Sequence, residues 1–388
     1  MKEQQQLPLG KRVLFSGMLL ILSSLLAFGA LEVYVRISRP VKDLYVLTGR
    51  RAGRNPMSDW ACIDAFSAYR AKPGQYVEGK TVNRHGFIST PDIAVVKPEN
   101  TVRIVFLGGS ATAGTGWDLK DADTWPWKTV EMIRERTDKK IDFINGAVGG
   151  YSSFESYGRL WSRIRHFSPD IVVIYHAWNE MYYFGEVDDI TSWRTLPDGS
   201  WSFDRTPEPI QWYAPHWIDP LLHWSQTLTR IRLRLSKPPE GEVGPRDDSP
   251  LASEFDRRGL NIWRTQLRLF RETCEAIGAK LFVAKQATLI VPDLPTEEHK
   301  RCRYDYHGFD HNAHVDAFQS IYEVIDQEIP ADSIIDVTSI SGQPEYFYDH
   351  VHPTPTGTTI TANIMSEVLI PYIETKEIGQ QTDPADKQ

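Results

Sequence analysis

Four short stretches of the 388-residue chain carry side chains whose chemistry can be combined. Ser110 stands in Phe106-Leu107-Gly108-Gly109-Ser110-Ala111-Thr112-Ala113-Gly114, directly after an apolar run. A serine hydroxyl is a weak nucleophile until a base takes its proton. Asp349-His350-Val351-His352 offers such a base, because a carboxylate three residues before an imidazole can orient one ring nitrogen and leave the other to accept a proton. His350 competes for that role, but its adjacency to Asp349 directs it elsewhere. Gly150, in Asn145-Gly146-Ala147-Val148-Gly149-Gly150-Tyr151, has a backbone N–H, and Asn179, in Trp178-Asn179-Glu180, has a side-chain amide. Both can donate to an oxygen that gains negative charge during acyl transfer.

Each stretch alone has a plainer reading. Ser110 can be a helix N-cap after a tight turn, and Asp349/His352 a polar helix start. What favours the joint reading is their order at the ends of successive apolar runs. Other readings of the glycine-rich loop fail on spacing. No Gly-Lys-Ser/Thr follows, so it is not a phosphate-binding loop, and the dinucleotide spacing G-x-G-x-x-G is absent. Thr112 stands where the second glycine of a G-x-S-x-G elbow belongs.

The elements that would position these groups alternate along the chain. Apolar runs at 102–107, 141–144, 171–175, 280–284 and 333–337 read as buried parallel strands. Amphipathic stretches at 124–135, 155–166, 258–276, 312–327 and 355–373 read as helices. Such alternation predicts a three-layer α/β domain, with the chemistry at the carboxyl ends of the strands. The chain divides into a tail (1–12), an apolar anchor (13–35), an irregular lead-in (36–100), the α/β domain (101–375) and a C-terminal tail (376–388). Two inserts interrupt the domain. An aromatic segment at 181–225 reads as a packed cap or a sugar-stacking platform, and 237–250 reads as a solvated mobile loop.

Residues 13–35 contain one charge, Glu32, and are long enough to cross a bilayer. An uncleaved anchor is the expectation, with a cleaved signal at Ala27-Phe28-Gly29 and a buried soluble helix as alternatives. Lys2, Lys11 and Arg12 precede the segment and six Lys/Arg follow it by residue 54, so the positive-inside count places the domain in the cytoplasm. Long domains translocate despite such charge, and the exported side is the expectation. Residues 1–54 hold nine Lys/Arg against three Asp/Glu, whereas the rest holds 34 against 48. That acidic body argues against nucleic acid as the principal ligand. Three cysteines permit at most one disulfide, with Cys62–Cys302 the candidate pair and Cys274 in a helix. His307, His311 and His314 lie in one short stretch beside Asp305 and Asp310. They can hold a metal, but a polar loop lining the cleft is the expected reading.

Over roughly residues 101–373 the blocks resemble the SGNH/GDSL hydrolases, whose four blocks contribute Ser, Gly, Asn and His, with an aspartate three residues before the histidine. The matching positions are Ser110, Gly150, Asn179 and Asp349/His352. Gly109 stands where the family often has aspartate, and Trp178-Asn179-Glu180 replaces Gly-Asn-Asp. The apolar segment followed by Asn83-Arg84-His85-Gly86-Phe87 looks like membrane-tethered bacterial members. The resemblance implies a flavodoxin-like sheet sandwich and a serine mechanism for ester cleavage that needs neither metal nor cofactor. Ser110, His352 and Asp349 would form the triad, and Ser110, Gly150 and Asn179 the oxyanion hole. The expected substrate is an O-acyl ester, acetyl above all, on a carbohydrate. Two other functions stay open: an O-acetyltransferase acting on an envelope glycan, and a catalytically silent glycan-binding envelope protein.

Overall fold

The computed structural model describes residues 8–38, 61–74, 76–77, 79–115, 119–184, 193–195, 201–203, 222, 224–235 and 250–376. The elements, in chain order, are α1 (Leu9–Ser38), β1 (Ala61–Asp64), β2 (Ala68–Ala71), β3 (Tyr76–Val77), β4 (Lys80–Thr81), β5 (Thr101–Gly108), α2 (Ser110–Ala113), α3 (Trp125–Arg136), β6 (Lys140–Asn145), α4 (Ser153–Ser162) and β7 (Ile171–Tyr175). There follow β8 (Trp193–Thr195), β9 (Trp201–Phe203), α5 (Gln226–Leu235), α6 (Leu260–Ala276), β10 (Lys280–Lys285), α7 (His311–Glu328), β11 (Ile334–Asp336) and α8 (Pro355–Thr375). Contacts divide the chain into two units, one of residues 1–58, 195–202 and 208–242, the other of 59–194, 203–207 and 243–388.

In the larger unit, β5, β6, β7, β10 and β11 form one parallel sheet in the order β11-β10-β7-β5-β6. That is the flavodoxin-like order, whose direction of winding reverses between β5 and β7. Every residue of β5 and β7 is buried, which explains why these strands read as continuous apolar runs rather than alternating ones. Helices flank the sheet: α3 packs on α8, and α6 packs on α4 and α7. The architecture is thus α/β, a five-stranded parallel sheet flanked by helices, as the alternation and the resemblance led one to expect.

The stretch read as an irregular lead-in contains two short antiparallel hairpins, β1–β2 and β3–β4. Strands of two to four residues fall below the length at which alternation is legible. All three cysteines are free thiols, so the Cys62–Cys302 bridge does not form. Cys302 is buried and Cys274 sits inside α6, where burial pushes its thiol up to about 12. Most of the aromatic insert, with Trp212 and Trp217, lies outside the described residues, as do residues 237–249 and the tail beyond 376.

In the smaller unit, α1 is a 30-residue, largely apolar helix whose large apolar side chains from Val13 to Leu26 are exposed. It is a signal sequence or a single membrane anchor by length and composition. Glu32, the lone charge in its apolar stretch, accepts hydrogen bonds from the backbone N–H groups of Gln226 (2.8 Å) and Thr227 (2.9 Å) and from Ser225 Oγ (2.8 Å). It therefore serves the unpaired donors at the start of α5.

Candidate active site

Ser110 follows β5 immediately, as the first residue of α2, with Gly109 in the N-cap position. Its side chain does not cap the helix. His352 Nε2 lies 2.7 Å from Ser110 Oγ instead. Gly109 is required by close approach, since a Cβ there would lie 2.6 Å from Asn179 Nδ2 and 3.0 Å from the Tyr151 carbonyl oxygen. The loops after β5, β6 and β7 are packed together at this residue, across the switch point of the sheet.

Asp349 and His352 precede α8 rather than start it, because Thr354 is that helix's N-cap and accepts from Gly357 N–H. They sit in a tight reversal closed by Tyr348 N–H donating to His352 O (2.8 Å) and Thr354 N–H donating to Tyr346 O (2.9 Å). Asp349 Oδ2 lies 2.7 Å and Oδ1 2.9 Å from His352 Nδ1, and Oδ1 also accepts from the backbone N–H groups of Val351 and His352 (both 2.9 Å). Burial pushes the Asp349 carboxyl up, but His352 and these backbone donors outweigh it, and the net shift is well below the usual carboxylate range. Asp349 is an anion whose lone pairs are directed at the imidazole.

His350 takes no part in this chain. Its ring is buried against Trp178, with centroids 3.9 Å apart. Its Nδ1 makes no hydrogen bond and lies 3.7 Å from Asp349 Oδ1. Burial lowers its pKa to about 3 against the pull of Asp349. The His350 carbonyl accepts from Leu289 N–H (2.8 Å) and Thr288 Oγ1 (2.9 Å), so the loop after β10 fixes the height of the reversal.

Gly150 adopts φ +83°, a conformation that suits glycine. A Cβ at Gly150 would meet the hydroxyl of Tyr69 at 2.7 Å. Tyr69, on β2, donates to the carbonyl oxygen of Gly149, and Tyr151 donates from its hydroxyl to the carbonyl oxygen of Tyr69. Asn179 Nδ2 donates to Tyr151 O at 2.7 Å, and Gln286 Oε1 accepts from Trp178 N–H at 2.9 Å. Beneath them Glu180 is fully buried and accepts from Ser153 N–H and Oγ, both at 2.7 Å, which ties the loop after β7 to the start of α4.

Sequence reasoning missed Tyr69, Glu180 and Gln286. Glu180 directly follows Asn179, but its partner is a serine on another element. Tyr69 lies in a four-residue strand with no chemical signature. His307, His311 and His314 gather around Trp178 and Tyr304. Among the described residues no group of three or more His, Cys, Asp or Glu is placed to hold a metal. A small pocket of about 10 Å³ lies beside Ser110, lined also by Asn179, Trp178, Tyr175, Gln286 and Val351.

No family model matches the chain, and no curated protein matches it. Among solved structures it is similar to a GDSL-like lipase from Bacteroides thetaiotaomicron, at 13% identity over 70% of this chain and 87% of that one, with a TM-score of 0.35. A psychrotrophic esterase from Pseudoalteromonas sp. shares 13% identity over 71% of this chain and all of its own, with a TM-score of 0.37. An acetylxylan esterase from Geobacillus stearothermophilus shares 10% identity over 74% of this chain and all of its own, with a TM-score of 0.36. The structural neighbours of this chain are therefore SGNH/GDSL-like lipases, esterases and acetylxylan esterases, matched over about 70% of its length.

Proposed function

We propose that the protein is a serine esterase that hydrolyses short O-acyl esters, acetyl above all, on a carbohydrate. The observation that carries the reading is the hydrogen-bonded chain from Asp349 through His352 to Ser110 Oγ. Ser110 Oγ attacks the acyl carbonyl while His352 Nε2 takes its proton, and Asp349 stabilises the imidazolium that forms. The carbonyl oxygen gains negative charge and accepts from the N–H groups of Ser110 and Gly150 and from Asn179 Nδ2. His352 returns the proton to the leaving alcohol oxygen, giving an acyl-Ser110. A water then delivers its proton to His352 and its oxygen to the acyl carbon, and collapse releases the acid and restores Ser110.

The narrowness of the pocket beside Ser110 supports a short acyl group. α1 is read as an uncleaved anchor that holds the domain on the exported face of the membrane. The test is a series of p-nitrophenyl esters turned over by the full chain in detergent micelles. kcat/KM should be highest for acetate and fall at least ~10-fold by butyrate, since a longer chain must crowd against the residues lining the pocket at a cost of about 1–3 kcal/mol. Faster turnover of palmitate than of acetate would overturn the acyl assignment.

A further inference from the structure

A second recess, a cleft of about 800 Å³, opens between the β1–β2 hairpin and the C-terminal end of α4. Its volume is that of a small-molecule site. Among the described residues, three guanidinium groups line it, from Arg70, Arg84 and Arg163, together with the imidazoles of His85 and His166 and one carboxylate, Asp64. Asp64 is already saturated. Its Oδ2 lies 3.1 Å from Arg163 Nε and 3.4 Å from Arg70 Nε, and its Oδ1 accepts from the N–H groups of Phe66 (3.1 Å) and Ser67 (3.2 Å). Arg84 donates from its guanidinium to Ile93 O (3.1 Å), and the nearest carboxylate, Asp92, accepts from its backbone N–H (3.3 Å). A fourth guanidinium lies beneath the floor. Arg159 is buried 5.1 Å from the centre of the Phe87 ring, with Nε and Nη1 making no hydrogen bond.

Positive charge in excess at a partly enclosed cleft attracts a compact oxyanion, and guanidinium forks suit carboxylate and phosphate geometry. Phe87 and Phe167 behind the wall of the cleft are buried, whereas Phe66 at its edge is 57% exposed. Aromatic faces of this kind stack on sugar rings. The hairpin that borders the cleft also borders the candidate active site. Tyr69 and Arg70 are adjacent on β2 and so face opposite sides of the strand, Tyr69 toward Gly149 and Arg70 into the cleft.

We infer that the cleft is an accessory subsite for an anionic sugar unit, one bearing a carboxylate or phosphate, of the same glycan whose ester Ser110 cleaves; this rests on the esterase reading above. The experiment is calorimetric titration of the full chain in neutral detergent with three probes: oligogalacturonate, a neutral xylo-oligosaccharide of equal length, and inorganic phosphate. Oligogalacturonate should bind, more weakly by several-fold when salt is raised from about 50 to about 300 mM, and phosphate should compete with it. The Arg84→Gln/Arg163→Gln double variant should lose at least ~10-fold in that affinity while turning over p-nitrophenyl acetate at the unaltered rate. Arg84→Gln alone, which leaves the Asp64–Arg163 pair intact, should lose several-fold. Equal affinity for the neutral oligosaccharide, undiminished binding in both variants, or phosphate binding without oligogalacturonate binding would each overturn the inference. Ester turnover without anion binding would sink the cleft and leave the esterase standing, whereas anion binding without turnover would sink the esterase reading and with it the subsite role, leaving an anion-binding cleft alone.

Discussion

Asn179 donates from Nδ2 to the carbonyl oxygen of Tyr151 at 2.7 Å, so the loop after β7 holds the loop after β6 in place. An amide nitrogen carries two hydrogens, and this bond fixes one while orienting the other. Ser110 and Asn179 line the same small pocket. Asn179→Ala should therefore lower kcat for p-nitrophenyl acetate by about 10²–10³, the usual loss for one oxyanion donor. KM should change little, because the amide meets its full charge only in the transition state. Steady-state kinetics decide it. A raised KM at unchanged kcat would make Asn179 a substrate-binding residue instead.

The two histidines of the 349–352 reversal should behave differently. His352→Ala removes the proposed base and should lower kcat by about 10⁴ or more. His350→Ala leaves the Asp349–His352–Ser110 chain untouched and removes a ring packed on Trp178, so it should cost stability more than rate. Kinetics and melting curves of the two variants, side by side, check this. If the losses exchange places, the base has been misassigned.

Acid should destabilise the domain before it protonates any carboxylate. Burial holds His176 and His350 at about 3 and His314 at about 4, below the ordinary 6.5 of imidazole. All three are neutral in the fold and take up protons on unfolding once the pH is below 6.5. The unfolded chain then binds more protons, and stability falls as pH falls from 6.5 towards those folded values. At about pH 5 each histidine contributes at most about 2 kcal/mol less than at neutrality. The urea midpoint followed by tryptophan fluorescence should drop between pH 7 and about pH 5. An unchanged midpoint would mean that these imidazoles are not held neutral.

Much of this arrangement was legible because it depends on local chemistry. The central strands β5 and β7 are buried on both faces, so they stand out as apolar runs, and β5, β6 and β7 each lead into a loop that bears one of the candidate groups. Asp349 and His352 are three residues apart, near enough for sequence to suggest the pair. What sequence could not supply is contact between distant segments. Tyr69 reaches Gly149 across 80 positions from a strand of four residues, with no pattern of its own. Glu180 reads as a neighbour of Asn179, yet its partner Ser153 lies 27 positions away at the start of α4. The Cys62–Cys302 pairing failed for the same reason, since composition counts thiols but does not place them.

The central claim is that Ser110 is a nucleophile activated by His352, and covalent labelling tests it most directly. The full chain in detergent would be exposed to a fluorophosphonate and the adduct located by peptide mass. One adduct on Ser110 is expected, absent in Ser110→Ala and slowed by about 10³ or more in His352→Ala. Equal labelling of the Ser110→Ala protein, or no adduct on Ser110 in the folded parent chain, would contradict the account.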